Sequence, residues 1–112
     1  MNIVPLAQLG FSSFSGLLNS KFCITLAPQN SIQVELVEIS PPQVGQGGAA
    51  GRQTFENFSL IFLGPLNPVL PQKIYWFESA ALGRFEIFIV PVGQDQSGTR
   101  YQAIFSRLVN LA

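Results

Sequence analysis

The clearest strand in the sequence lies at residues 84–92, which read Arg-Phe-Glu-Ile-Phe-Ile-Val-Pro-Val. Successive side chains of a β-strand point to opposite faces of the sheet. One face of this strand carries Phe85, Ile87 and Ile89, and the other carries Phe88, Val90 and Val92. Pro91 has no N–H to donate to a ladder, so it predicts a bulge or a sheet edge. Both faces of the strand are apolar, so we expect each face to pack against other apolar groups.

Working outward from this strand, five more segments have strand character and are bounded by Gly, Pro or other turn residues: 22–27, 31–39, 57–63, 73–79 and 99–107. The segment 57–63 is also apolar on both faces, with Phe58, Leu60 and Phe62 opposed by Ile61 and Leu63. Six short strands without a long helix predict an all-β domain, a small antiparallel barrel or sandwich. The 112 residues fit one such domain.

The connections refine this fold. Residues 28–31 and 93–98 carry the Pro, Asn, Asp and Gly residues typical of hairpin turns. The apolar alternation slips by one residue at Leu36–Val37, which predicts a β-bulge.

Two segments lack strand alternation. Residues 1–20 place Leu and Phe at helical spacings, and Ser12 or Ser13 is a possible cap, so we expect an N-terminal arm or a short helix packed on the barrel. Residues 40–55 are rich in Gly and Pro and predict a long flexible loop. Such long loops tend to be functional, and this one is a candidate to order on a neighbouring subunit.

Charge is the most informative feature of the composition. Only 11% of the residues are charged, against about 25% in an ordinary soluble domain, and the net charge is zero. A folded monomer of this mass would carry one charged side chain per ~500 Å² of surface, where ordinary composition gives one per ~200 Å². A surface so poor in charge favours assembly with other protein over a free monomer covered by Ser, Gln, Asn and Thr.

Several chemistries are disfavoured. The chain has no His, and its single Cys23 excludes an intrachain disulfide and a Cys-based zinc site. Six scattered basic residues give no stripe for nucleic acid. The sequence has no apolar run long enough for a membrane span and no visible signal peptide. We therefore expect neither an enzyme nor a cofactor nor a metal. The location stays unknown: synthesis is expected in the cytoplasm, with any extracellular assembly reached by another route.

Three weaker motifs have ordinary structural readings. Glu35 and Glu38 would face opposite sides of their strand unless the bulge realigns them. The glycine run at 45–51 is not placed between a strand and a helix, so it predicts a loop and not a phosphate site. The aromatic run at 75–77 is either core or a stacking platform for a sugar or base, and alternation separates Trp76 from its two neighbours.

Part of the chain resembles a known family. The matching segments are Phe58-Ser-Leu-Ile-Phe-Leu-Gly-Pro65, Leu70-Pro-Gln-Lys-Ile-Tyr75, Leu82-Gly-Arg-Phe-Glu-Ile-Phe-Ile-Val-Pro-Val-Gly93 and Tyr101-Gln-Ala-Ile-Phe-Ser-Arg107. They resemble the DUF6916 family, a small bacterial domain of unknown function often encoded near phage-tail-collar-like proteins. The resemblance implies a component of a tail-like or fibre-like assembly and carries over no catalytic residue.

Two functions follow as expectations. The first is a structural protein that self-associates as a homo-oligomer or filament, with itself and a tail-collar-like protein as partners. Its candidate interface residues are Leu63, Phe88, Val90, Val92, Val44, Phe11 and Phe14. The alternative is a small β-barrel binding module for an apolar or carbohydrate ligand.

Overall fold

The computed structural model describes residues 3–40, 43–47 and 53–110. A 3-10 turn at Leu6–Gln8 and the short helix α1 (Phe11–Ser15) precede seven strands. These are β1 (Lys21–Ala27), β2 (Asn30–Ile39), β3 (Gln43–Gly47), β4 (Gln53–Gly64), β5 (Lys73–Ser79), β6 (Gly83–Asp95) and β7 (Gly98–Asn110). Six of them lie where the alternation predicts strands.

All strand pairings are antiparallel. The sheet runs in the order β2-β1-β5-β6-β7-β4-β3, and an additional pairing between β2 and β4 closes six of the strands into a barrel. The predicted all-β fold is confirmed in its barrel form, with one short helix near the N-terminus. β3 lies outside the closed barrel because it pairs only with β4 among the described strands.

The alternation of the sequence places the core correctly. Phe58, Leu60 and Phe62 of β4 and Phe85, Ile87 and Ile89 of β6 all point into the barrel and are buried. The hydroxyl of Tyr101 accepts the N–H of Leu70 at 2.9 Å, and the hydroxyl of Tyr75 donates to the carbonyl of Pro71 at 2.7 Å. Those two bonds fasten the β4–β5 connection to the barrel.

Both predicted bulges are present. The register between β2 and β4 shifts between Leu36 and Glu38, and the register between β6 and β7 shifts between Pro91 and Gly93. The first bulge pairs Glu35 with Leu63 and Glu38 with Ile61, so it brings both carboxylates to the outer face of the barrel.

The β6–β7 hairpin sets the register of β7. The N–H of Ser97 donates to Asp95 Oδ1 at 2.8 Å, and Arg100 Nη1 lies 2.5 Å from Asp95 Oδ2. These two contacts, the backbone one first, hold the pKa of Asp95 below its ordinary value. Gly98 has a φ of 143°, and a Cβ there would collide with the carbonyl of Gly64. The turn therefore requires glycine at this position.

The ladder between β6 and β7 covers only part of the length of the two strands. β6 and β7 pair from Asp95–Gly98 to Val90–Gln102, and the ladder does not continue beyond that pair. The N-terminal segment lies beside the part of β6 that does not pair with β7. Ile3 bridges to Arg84 of β6, and the N–H of Val4 donates to the carbonyl of Arg84 at 2.8 Å. The segment predicted as an arm or short helix thus packs on its own barrel.

Phe14 is the residue of that segment that reaches deepest. It is fully buried, with ring centroids 5.3 Å from Phe105 on β7 and 6.0 Å from Phe85 on β6. Helix α1 begins at Phe11, so the predicted caps Ser12 and Ser13 lie inside the helix and the N-cap is Gly10. Ser13 Oγ accepts the N–H of Gly10 at 3.0 Å. This hydrogen bond and the burial of Phe14 stabilise the helix.

We expect Phe14→Ala to lower the free energy of unfolding by about 3–5 kcal/mol, because it removes a buried ring that lies between β6 and β7 beyond the end of their ladder. The matched control is Phe88→Ala on the outer face, which should cost about 0.5 kcal/mol. Urea unfolding followed by tryptophan fluorescence measures both, and equal losses would contradict the assigned role of Phe14.

We also expect Tyr101→Phe to destabilise more than Tyr75→Phe. The first leaves the buried N–H of Leu70 without an acceptor, at a cost of about 1–3 kcal/mol. The second frees the carbonyl of the exposed Pro71, which water can solvate. Thermal unfolding of the two variants in parallel tests this order, and the reverse order would contradict it.

Candidate interaction surface

The outer face of β5, β6 and β7 carries a set of apolar side chains that we call the apolar wall: Ile74, Phe88, Val90, Val92 and Ile104. Ile74 and Phe88 are cross-strand neighbours and are 56% and 48% exposed. Ile104 is 72% exposed, and Val92, at the β6 bulge, is 50% exposed. Exposed apolar side chains that pair across strands, as Ile74 and Phe88 do, often mark interaction sites.

The two faces of β6 are both apolar but differ in how far they are buried. The inner residues of β6 are buried in the core, whereas Phe88 and Val92 on its outer side are about half exposed and Val90 is partly buried. The two outer residues of β6 that precede Phe88 are charged: Glu86, and Arg84, whose guanidinium lies over the ring of Trp76 at 4.6 Å. The wall itself contains no ionic group.

The predicted interface residues fall into different environments. Phe88, Val90 and Val92 belong to the wall. Leu63 is half-buried on the outer face of β4, between Glu35 of β2 and Arg100 of β7. Phe11 packs edge-to-face on Phe58 at 5.9 Å.

The last two predicted residues lie away from the wall. Phe14 is fully buried inside the barrel of its own chain, so its ring is not exposed on the protein surface. Val44 lies in β3, where its backbone pairs with Glu56. Ile74 and Ile104 were missed by sequence reasoning. The signal was present for Ile104, an apolar residue between Gln102 and Ser106 on the outer phase of its strand.

A second feature is a three-stranded arm, formed by residues 43–47, 53–57 and 106–110. β3 pairs with β4 from Gln43–Asn57 to Gly47–Gln53, and β7 pairs with the same β4 residues from Ser106 to Asn110. Part of the segment 40–55 predicted as a flexible loop is therefore strand. Its glycines hid the strand because they provide no alternation.

The arm extends past the barrel. The β4–β7 ladder joins twelve residue pairs, a length of about 40 Å at 3.3 Å per residue, whereas β1 and β5 have seven residues each, about 23 Å. The longest dimension of the molecule is 47 Å and the other two are 31 and 24 Å.

A groove of about 510 Å³ lies between the segment around α1, the end of β2 and the middle of β4. Its apolar lining includes Leu18, Val37 and Ile61, and its polar lining is Ser15, Glu38, Ser40 and Ser59. The hydroxyls of Ser40 and Ser59 lie 3.0 Å apart, and the N–H of Ser59 donates to Ser40 Oγ at 2.7 Å. The volume falls within the range of small-ligand pockets.

Three further sequence features concern the aromatic run at 75–77, metal binding and membrane spans. Tyr75 and Phe77 point into the barrel, and the guanidinium of Arg84 lies over the ring of Trp76, which is partly buried. Among the described residues, no group of three or more His, Cys, Asp or Glu side chains is close enough to hold a metal ion. Within the same ranges no helix is long and apolar enough to cross a membrane.

Comparison with known proteins gives one match. The family model described as "Domain of unknown function (DUF6916)" matches residues 9–105, which is most of the chain. The chain belongs to the DUF6916 family. The matched range begins at Leu9, before α1, and ends at Phe105, so the DUF6916 domain includes the buried Phe14 as well as the barrel strands. No curated protein and no solved structure matches the chain significantly.

Proposed function

We propose that this DUF6916 protein is a structural subunit that self-associates into a tail-like, fibre-like or filamentous assembly. The apolar wall is the observation that carries the proposal. Four of its five side chains are about half exposed or more, on strands whose inner faces already fill the core. A wall of this kind is stabilised when other protein covers it.

Charge supports the same proposal. The described ion pairs are internal to the chain: Lys21 with Glu35, Arg84 with Glu78, and Arg100 with Asp95. Three of the six basic and three of the six acidic residues are thus neutralised by each other. Little repulsion remains to keep two copies apart at neutral pH. A tail-collar-like protein is proposed as a second partner on the strength of the resemblance alone.

The test compares two lysine substitutions that change the net charge equally. Phe88→Lys places a cation in the centre of the wall, and Gln33→Lys places one at an exposed position of β2 on another side of the barrel. We expect Phe88→Lys to shift association to at least tenfold higher concentration, because covering the wall would then require desolvation of an ammonium group.

Gln33→Lys should associate like the parent chain. Sedimentation velocity over a range of concentrations, with negative-stain microscopy of the same samples, measures both variants. A parent chain that stays monomeric at millimolar concentration would end this proposal, and so would equal association by the two variants.

A second candidate, a binding module, is favoured by the groove beside α1. Its apolar lining and its paired serine hydroxyls suit a small, mostly apolar ligand with one polar group. We expect an uncharged solvatochromic dye to bind there and Val37→Asp to weaken the binding at least fivefold, because the new carboxylate adds charge beside Glu38.

The matched control is Phe88→Asp, which introduces the same charge on the apolar wall. Fluorescence titration at a concentration where the protein is monomeric measures both variants. If Phe88→Asp removes the dye binding and Val37→Asp does not, the dye site is the wall and the groove is not a ligand site.

A further inference from the structure

The arm has two edges that pair with no other strand in the described part of the chain. β4 residues 53–57 are paired with β3 on one side and with β7 residues 106–110 on the other. Neither β3 nor this part of β7 pairs with any further described strand, because the β6–β7 ladder ends at Val90–Gln102. A strand edge of this kind presents unpaired N–H and C=O groups to its surroundings.

The register shows which backbone groups are free. Ser59 donates its N–H to Ser40 Oγ and accepts from the N–H of Ser40, so the backbone of Ser59 points towards β2 and β3. The β4–β7 ladder has no register shift, so every second residue of β4 points the same way. The N–H groups of Gln43, Gly45 and Gly47 are therefore directed towards β4, and those of Val44 and Gln46 are directed away from it.

The same alternation assigns the other edge. The even-numbered residues of β4 point towards β7, so Arg107 and Val109 are bonded to β4. The backbone groups of Ser106, Leu108 and Asn110 point away. Two edges of equal length thus flank one strand of the arm.

The five residues of β3 include none of the kinds that usually protect a sheet edge. Natural edge strands are shielded by charged residues, by proline or by a bulge. β3 reads Gln-Val-Gly-Gln-Gly, with no charge and no proline, and its ladder with β4 is continuous. The opposite edge, β7 residues 106–110, has one charged residue, Arg107, and also no proline.

We infer that the partner of the arm is a second copy of this chain, whose β3 pairs with β7 residues 106–110 of the first. This inference rests on the proposed self-association and names the element that makes the contact. Each copy then offers one edge and receives another, so the contact does not close on itself and a filament results. The arms together form one continuous sheet.

The dimensions of the molecule favour an antiparallel contact. Three strands advance the sheet by about 14 Å per copy, which is less than the 24 Å of the narrowest dimension of the molecule. Successive copies in the same orientation would crowd their barrels unless sheet twist rotated them apart. An antiparallel β3–β7 contact places successive barrels at opposite ends of the strands.

In the antiparallel arrangement, the distance between barrels on the same side of the sheet matches the width of the molecule. Barrels on one side recur every two copies, or about 29 Å, which lies between the 24 and 31 Å cross-sectional dimensions of the molecule. Antiparallel ladders are also slightly more stable per residue than parallel ones. Both considerations select the same arrangement.

The first test removes only the N–H groups that point away from β4. In the full-length chain, Val44→Pro with Gln46→Pro deletes two free donors and no β3–β4 hydrogen bond. The matched control, Val44→Ala with Gln46→Ala, changes the same side chains and keeps both donors. We expect the proline variant to need roughly tenfold higher concentration to associate, and the alanine variant to behave like the parent chain.

The outcomes separate this inference from the proposed function. If the parent chain associates and both double variants associate equally well, the edge contact is wrong while self-association stands. If the parent chain does not associate, the proposed function itself fails. Circular dichroism and thermal unfolding of each variant check that the barrel is folded.

A second experiment does not depend on proline. In a Cys23→Ser background, Gln46→Cys and Leu108→Cys are made as separate full-length variants and treated with a short bismaleimide. We expect cross-linked dimers when the two variants are mixed and assembled, and few when either is used alone. Cross-linking within one variant would indicate a two-fold contact between like edges, and no cross-linking in the mixture would also overturn the inference.

Discussion

Phe14 closes the side of the barrel at which β6 and β7 move apart. The two strands no longer exchange hydrogen bonds beyond Val90–Gln102, so the core at that level would be open to water. The ring of Phe14 contacts Phe85 on one strand and Phe105 on the other and replaces the missing ladder by apolar packing. Because this gap is filled by a helix and not by a strand, the outward backbone groups of β7 beyond Gln102 pair with no described strand.

That arrangement explains how the remaining surface divides. β7 leaves β6 and continues with β4 alone, which lengthens the β4–β7 ladder and creates the arm. The outer residues of β6 and β7 beside the opening form the wall, including Phe88 and Ile104. The free edge and the exposed apolar side chains therefore have one structural origin, the divergence of two neighbouring strands.

Sequence reasoning succeeded where the signal is local. The alternation of 84–92 and 57–63 located the inner residues, and a slip of phase at Leu36–Val37 located a bulge. It failed where the fold depends on contacts between distant segments. The role of Phe14 depends on its position against β6 and β7, and a Phe at helical spacing has the same signature whether it covers a barrel or fills a gap within it.

The strand β3 shows the same limit for the candidate site. Gly45 and Gly47 have low intrinsic strand preference, so no local pattern distinguishes this segment from a loop. Its strand conformation comes from pairing with β4, which already extends past the barrel because of its ladder with β7. A segment that becomes a strand only by pairing along an existing edge has no local sequence preference to oppose similar pairing on its other edge. The low charge of the whole chain acts in the same direction, because nothing ionic in β3 repels a neighbouring strand.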